Sequence, residues 1–243
     1  MGIINLNDDS FYAGSRAAGV DGFRRKADAL LLAGASIIDI GAISSRPGAR
    51  PVSAQEEWDR LEPVICEIAR NYRGVSFSID TFRPSIVLMA YQEMGRFIVN
   101  DISAGEWDRA MLPVVGRLGL RYIAMHHQGT FETMHDEYHY DDVVKKVCQY
   151  FEEFAQRAEE AGIENWILDP GFGFSKSVED NRLLLDNLSK FKLFRKPILV
   201  GISRKSFIYK PLGLTPEECE AQTRELEKKA AESGASIIRT HLS

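Results

Sequence analysis

The chain is poor in the features that mark several protein classes. It has only three cysteines in 243 residues, Cys66, Cys148 and Cys219. They are odd in number, far apart and without metal-knuckle spacing, which suits reduced thiols in a cytoplasmic protein rather than a disulfide framework or a zinc module. No apolar run approaches the ~20 residues of a membrane span. The opening Met1-Gly2-Ile3-Ile4-Asn5 lacks the basic stretch of a secretory signal. Positive charge is not in surplus. Thirty Lys and Arg stand against 35 Asp and Glu, a formal net charge of −5, which gives no footing for nucleic acid or an anionic membrane. No linker or low-complexity stretch interrupts the chain, so a single domain over residues 1–243 is expected.

What the chain has is repetition. Short apolar runs recur at Gly2–Leu6, Ser36–Ile40, Val75–Ile79, Phe97–Val99, Tyr122–Met125, Trp166–Leu168, Ile198–Ile202 and Ser236–Ile238. Most are rich in Ile, Leu and Val without alternation, as in strands covered on both faces. Helical patterns lie between them. Ser53 and Glu56 read as a capping box ahead of Trp58, Leu61, Ile65 and Ile68 on one face, and Ser177 with Asp180 opens another helix. Thr215-Pro216-Glu217-Glu218 sets out a cap, a first-turn proline and first-turn acids. Gly34, Gly162 and Gly234 follow helices and precede strands, the place of C-terminal caps. Eight strand–helix repeats in about 240 residues predict an α/β fold, a (β/α)8 TIM barrel. The sequence ends just after the eighth strand, so the eighth helix is missing from the expectation. The seventh, over 217–233, is unusually polar, with Leu226 almost its only large apolar residue.

A barrel carries its site at the C-terminal ends of its strands. Those ends read Asn5, Asp39, Asp80-Thr81, Asn100-Asp101, Met125-His126, Asp169-Pro170, Ser203-Arg204-Lys205-Ser206 and Arg239-Thr240-His241. A lone Asp at a strand end is most often a helix cap, but six polar ends from eight strands form a set. Asp80, Asn100 and Asp169 suit a flat heterocycle with adjacent N–H donors. Asn5, Arg46, Arg239 and His241 suit an oxyanion, which arginine grips with its planar fork. Lys205 stands between the two groups.

At these residues the sequence resembles the dihydropteroate synthases of the pterin-binding barrel family. The likeness rests on Met1–Asn5 with Asp9-Ser10-Phe11, Ile37–Gly41, Ser45–Ala49, Ser78–Thr81, Asn100–Ser103, Met125-His126, Leu168–Phe174, Ser203–Phe207 and Arg239–His241, in the family's order along nearly the whole chain. It implies a transferase of folate biosynthesis. That enzyme condenses 6-hydroxymethyl-7,8-dihydropterin pyrophosphate with p-aminobenzoate, using Mg2+ and releasing pyrophosphate. It implies that Asp80, Asn100, Met125, Asp169, Phe174 and Lys205 hold the pterin. It implies pyrophosphate on Asn5, Arg46, Arg239 and His241, with Asn5 also ligating Mg2+. It implies p-aminobenzoate near Phe11, Ser45, Pro47, Lys205 and Ser206, a sulfonamide-sensitive site, and a homodimer. Asp80, Lys205, Arg239 and His241 are the residues expected to carry the chemistry. The family's Thr-Pro is here Asn7-Asp8, its Glu is Ile43, its Thr is Ser45, and its Gly-Thr in the seventh helix is Gln222-Thr223. The first two changes bear on the p-aminobenzoate loops and on drug response.

Other readings have their own signals. A methyltetrahydrofolate methyltransferase would share Asp80, Asn100 and Asp169 but has no use for Arg46, Lys205 or Arg239-Thr240-His241. A non-catalytic pterin-binding paralogue would fit the loop changes. Lys205 alone would allow a Schiff-base aldolase. His126, His127, His135 and His139 read as parts of a polar lid rather than a metal cluster. Asp101 reads as a structural partner and Arg204 as a rim residue.

Overall fold

A computed structural model describes residues 1–6, 16–43, 52–136 and 138–241, the side chains of 16–18 excepted. The expectations placed on Asn7, Asp8, Phe11, Ser45, Arg46 and Pro47 lie outside the described residues.

Six parallel strands pair in sequence order: β1 (Gly2–Asn5), β2 (Ile37–Gly41), β3 (Ser76–Asp80), β4 (Ile98–Asp101), β5 (Arg121–Met125) and β6 (Trp166–Asp169). Two more, β7 (Leu199–Val200) and β8 (Ile237–Ile238), pair in parallel with each other. Single parallel bridges, Leu168 with Ile198 and Gly2 with Thr240, join the two groups at both edges. The result is the eight-stranded barrel that the repeats imply. β7 and β8 are shorter than their apolar runs suggest. The N–H groups of Ser236 and Ile237 both converge on the carbonyl of Ile198, at 2.8 and 3.1 Å, so the ladder starts irregularly there.

Among the described residues, seven helices of two turns or more lie between the strands: α1 (Arg16–Leu32), α2 (Ala54–Asn71), α3 (Pro84–Met94), α4 (Met111–Leu118), α5 (Val143–Glu160), α6 (Val178–Asp186) and α7 (Glu220–Ser233). Ser53 caps α2 by accepting from the Glu56 N–H, and Ser177 with Asp180 forms the full reciprocal box at α6. Gly34, Gly162 and Gly234 sit at φ of 87°, 73° and 115°, where a side chain would be strained. Thr215–Glu218 departs from expectation. The Glu218 carboxylate accepts from the Thr215 N–H at 2.8 Å, but this closes a separate turn, and α7 begins only at Glu220. Only Thr223 and Ala230 of α7 are buried, and its outer face carries the i,i+4 pairs Glu220–Arg224 and Lys228–Glu232. The polar reading of this helix holds.

The strand residues sort by a period of two. Ile38, Ile40, Phe77, Ile79, Val99, Tyr122 and Leu168 face outward and join the helices in the main core. Their neighbours Ile98, Ile123, Ile167 and Leu199 face inward and, with Ile37 and Ile237, form a separate apolar plug inside the barrel. Two residues further along the strands, the inward positions become Asp39, Asn100, Met125, Asp169, Gly201 and Arg239. The interior thus changes from apolar to polar within one step of the pleat, and that step is the floor of the site.

Candidate active site

The polar layer is tied together by one buried carboxylate. Asp39 is fully buried. Arg239 donates to its Oδ2 through Nε at 2.7 Å and approaches with Nη2 at 2.6 Å. The Ser78 hydroxyl donates to Oδ1. The Asn100 amide lies 3.3 and 3.2 Å from the two oxygens. Arg239 also reaches Asp80 Oδ2 at 3.1 Å. Strands β2, β3, β4 and β8 therefore meet in one charge-assisted network, which is stronger than a set of neutral bonds. Glycines make room for it. A Cβ at Gly201 would touch the Arg239 side chain at 3.7 Å, and one at Gly41 would touch Asp80 at 3.5 Å.

Above the floor lies an open cavity of about 530 Å³, lined by Asn5, Asp80, Lys205, Ser206, Arg239 and His241 among others. Burial and the neighbouring Asp39 push the Asp80 carboxyl up to about 7, against the pull of Arg239. Lys205 lies with Nζ 3.9 Å from the centre of the Phe174 ring, a cation–π contact. Burial and the nearby Arg239 lower its ammonium to about 8, against the opposing effect of Asp169 and Asp80. The Asp169 carboxyl is raised by burial, while the Gly171 N–H, donating to Oδ1 at 2.8 Å, works the other way. His241 Nδ1 lies 3.1 Å from the Ser203 hydroxyl. Ser206 opens a one-turn helix, Ser206–Tyr209, directly after Lys205.

The wall beside Lys205 is apolar. Met125, Phe174, Ile102 and Met134 form a cluster of their own, with Phe82, Trp107 and Phe131 against it. The loop after β5 supplies part of this wall. Met134 takes a backbone bond from Ser175 at 2.8 Å, and His135 stacks on Phe174 with ring centres 5.1 Å apart. The histidines of this region do not converge. His126 is buried, and burial and Lys176 hold its imidazole well below the usual range. His127 packs edge-on to Trp107, and His139 is exposed. Among the described residues, no three His, Cys, Asp or Glu side chains group as a metal site.

The structure brings Asn5, Asp80, Lys205, Ser206, Arg239 and His241 to one cavity, with Asn100, Met125, Asp169 and Phe174 buried beneath or beside it. Asp101 is structural: it accepts from Ser103 N–H and Oγ at 2.7 Å, Gly105 N–H at 3.0 Å and the Tyr122 hydroxyl at 2.5 Å. Arg204 is exposed on the rim, held at φ 56°.

Two residues escaped the sequence reading. Asp39 looked like a strand end, but β2 continues to Gly41. Nothing in the sequence separated it from a true strand end; its place level with Ser78 on β3 comes from the register. The other is Lys176, buried, with Nζ 2.9 Å from the Gly171 carbonyl, 3.0 Å from that of Phe174 and 3.4 Å from that of His126. It pins the loop after β6 to the end of β5. Its signal was a lysine directly before a helix cap, where the helix dipole disfavours a cation.

Comparison with known proteins agrees with this geometry. The family described as "Pterin binding enzyme" matches residues 1–241. The dihydropteroate synthase of Escherichia coli K12 is 40% identical over 243 residues, covering 99% of this chain and 85% of that protein. The dihydropteroate synthase of Streptococcus pyogenes is 37% identical over 245 residues, covering 99% and 89%. Among solved structures, Yersinia pestis dihydropteroate synthase in a sulfonamide drug complex superposes with a TM-score of 0.91 at 36% identity, covering 100% of this chain and 88% of that one. The Xanthomonas albilineans enzyme with 4-aminobenzoic acid gives a TM-score of 0.88 at 36% identity, covering 99% and 86%.

Proposed function

The chain belongs to the pterin binding enzyme family, and from that premise we propose that it acts as a dihydropteroate synthase. It joins 6-hydroxymethyl-7,8-dihydropterin pyrophosphate to p-aminobenzoate, giving 7,8-dihydropteroate and pyrophosphate. One observation carries the reading. The acceptors Asp80, Asn100 and Asp169, at the ends of β3, β4 and β6, lie at or beneath the floor of one cavity into which the chain brings two cations, Lys205 after β7 and Arg239 after β8. A 2-amino-4-oxo heterocycle offers its N–H edge to Asp80, Asn100 and Asp169. Its pyrophosphate lies toward Arg239 and His241, a set to which the family resemblance adds Arg46.

The chemistry follows from the charges. The C–O bond from the pterin methylene to pyrophosphate breaks with both electrons leaving on oxygen. Arg239 stabilises the charge that the leaving group gains. The methylene carbon becomes cationic, and the Asp80 carboxylate stabilises it. The aromatic amine of p-aminobenzoate, positioned beside Lys205 and Ser206, then attacks as a neutral nucleophile and loses a proton; the family resemblance adds Phe11, Ser45 and Pro47 to that site. No strong general base is required.

The residues fit a magnesium ion. Asn5 Oδ1 and Asp80 Oδ2 would each lie 3.7 Å from a Cβ at Gly41, so both oxygens border a small space that a side chain there would fill. A site with one or two protein oxygens is how Mg2+ is held when phosphate oxygens and water complete its shell. Asn5 would ligate it, and the ion would supply Lewis-acid stabilisation of the departing pyrophosphate. The same reading places the enzyme in the cytoplasm as a homodimer; sedimentation as a monomer would overturn the assembly.

An assay for dihydropteroate formation, with Mg2+ present and absent, tests the function. Product should form only with Mg2+. Tight pterin binding without turnover would favour the non-catalytic reading.

A further inference from the structure

We infer that Asp39 is a specificity-determining positioning residue: by holding the Asn100 amide from below, it fixes which end of that amide the ligand meets. This rests on the reading that the cavity takes a pterin-like heterocycle.

The argument starts from what a carboxylate can do. It accepts hydrogen bonds and donates none when ionised. Asp39 has a guanidinium nitrogen 2.7 Å from Oδ2 and the Ser78 hydroxyl on Oδ1. The end of Asn100 that lies 3.2 and 3.3 Å from it must therefore be the NH2. The other end, the carbonyl oxygen, then points away from Asp39. Register gives the direction. Asp39 is level with Ser78, whereas Asn100 is level with Asp80, two residues further toward the opening. Asn100 Oδ1 thus faces up from the floor, beside Asp80.

An asparagine left alone could present either a donor or an acceptor. Here it presents an acceptor. Asp80 and Asp169 are acceptors already, and one Asp169 oxygen is taken by the Gly171 N–H. With Asp80 ionised, the described residues on this side of the floor offer a ligand acceptors, so they select heterocycles by their N–H groups. A ring nitrogen with a lone pair in place of N–H would face an unpaired acceptor, and such mismatches discriminate more sharply than lost apolar contact.

The test measures equilibrium binding of pyrophosphate-free ligands, so that changes at the oxyanion site do not enter. The probes are 6-hydroxymethyl-7,8-dihydropterin, its oxidised form in which a ring N–H has become a bare nitrogen, and its analogue lacking the 2-amino group. The wild-type protein should prefer the first over at least one of the others by about 10-fold or more. In Asp39→Asn the amide at 39 can donate to Asn100 Oδ1, the Asn100 amide is free to turn, and that ratio should fall at least about 5-fold. Should Asp39→Asn not fold, Asp39→Ser carries the same expectation, because its hydroxyl can donate or accept. A uniform loss of affinity with the ratio intact would overturn the inference and leave Asp39 as a structural residue. A wild-type protein that binds none of the three ligands would instead refute the pterin reading.

Discussion

Arg239 and Asp39 are 200 residues apart in the chain and share an ion pair at 2.6 Å inside the barrel. The same guanidinium reaches Asp80 at 3.1 Å. One cation therefore holds two carboxylates that would otherwise repel, and it does so at the edge of the cavity where an oxyanion is to be bound. In the proposed reading, one charge serves both the fold and the chemistry.

Replacing Arg239 should accordingly cost in two currencies. Arg239→Met should lower kcat/KM by about 100-fold through loss of an oxyanion partner. It should also destabilise the protein by about 3 kcal/mol, because Asp39 is left buried without its cation. Steady-state kinetics and urea denaturation measure the two effects. A variant of wild-type stability would show that the pair contributes nothing to the fold.

The titration of Asp80 and Lys205 predicts a narrow optimum. Asp80 must be ionised to stabilise a cation, and its carboxyl is raised to about 7. Lys205 must stay an ammonium, and its group is lowered to about 8. Activity should rise with pH toward 7 and fall above 8, a bell shape in kcat/KM. Lys205→Met should remove the alkaline limb and reduce turnover by orders of magnitude. A flat profile in the wild type would contradict both roles.

Lys176 should make stability depend on pH with an unusual sign. Burial lowers its ammonium to about 7, from 10.5 in a free chain. Between those values the unfolded chain holds the proton more firmly than the folded one, so stability should rise as pH increases from about 7 toward 10. Lys176→Met should lose up to about 1.4 kcal/mol per pH unit of that slope. Thermal unfolding across this range measures it. An unchanged slope would place the titration elsewhere.

Glu57 is fully buried on α2 and pairs with Arg83, which also donates to the Val52 carbonyl at 2.5 Å. Burial raises its carboxyl, and Thr81 and Arg83 oppose that shift. Arg83→Met should cost about 3–5 kcal/mol at neutral pH by orphaning the carboxylate. Adding Glu57→Gln should restore part of it. A double mutant no better than the single would show that Arg83 acts through packing on Phe82, whose ring centre lies 4.8 Å from its guanidinium carbon.

Much of the barrel could be read in advance because its cause is local. The apolar runs and caps at Ser53, Ser177 and the three glycines are set by neighbours in sequence. The acceptors Asp80, Asn100 and Asp169 were legible because strand ends converge in any barrel. Asp39 was not, since a carboxylate one pleat deeper looks the same as one at the end until the register is known. Lys176 was hidden for a different reason. Its partners are backbone carbonyls, and nothing in residue identity records where a carbonyl points. The start of α7 slipped because Glu218 could cap Thr215 without a helix following.

The apolar plug of Ile98, Ile123, Ile167 and Leu199 has a consequence for traffic. It makes the barrel a vessel with one mouth, in which guests queue. A group that sits against the floor must enter before anything seated at the rim, and a joined product must withdraw rim first. Competitors for the deep seat should therefore leave the shallow one open, while competitors for the shallow seat should trap whatever already lies beneath.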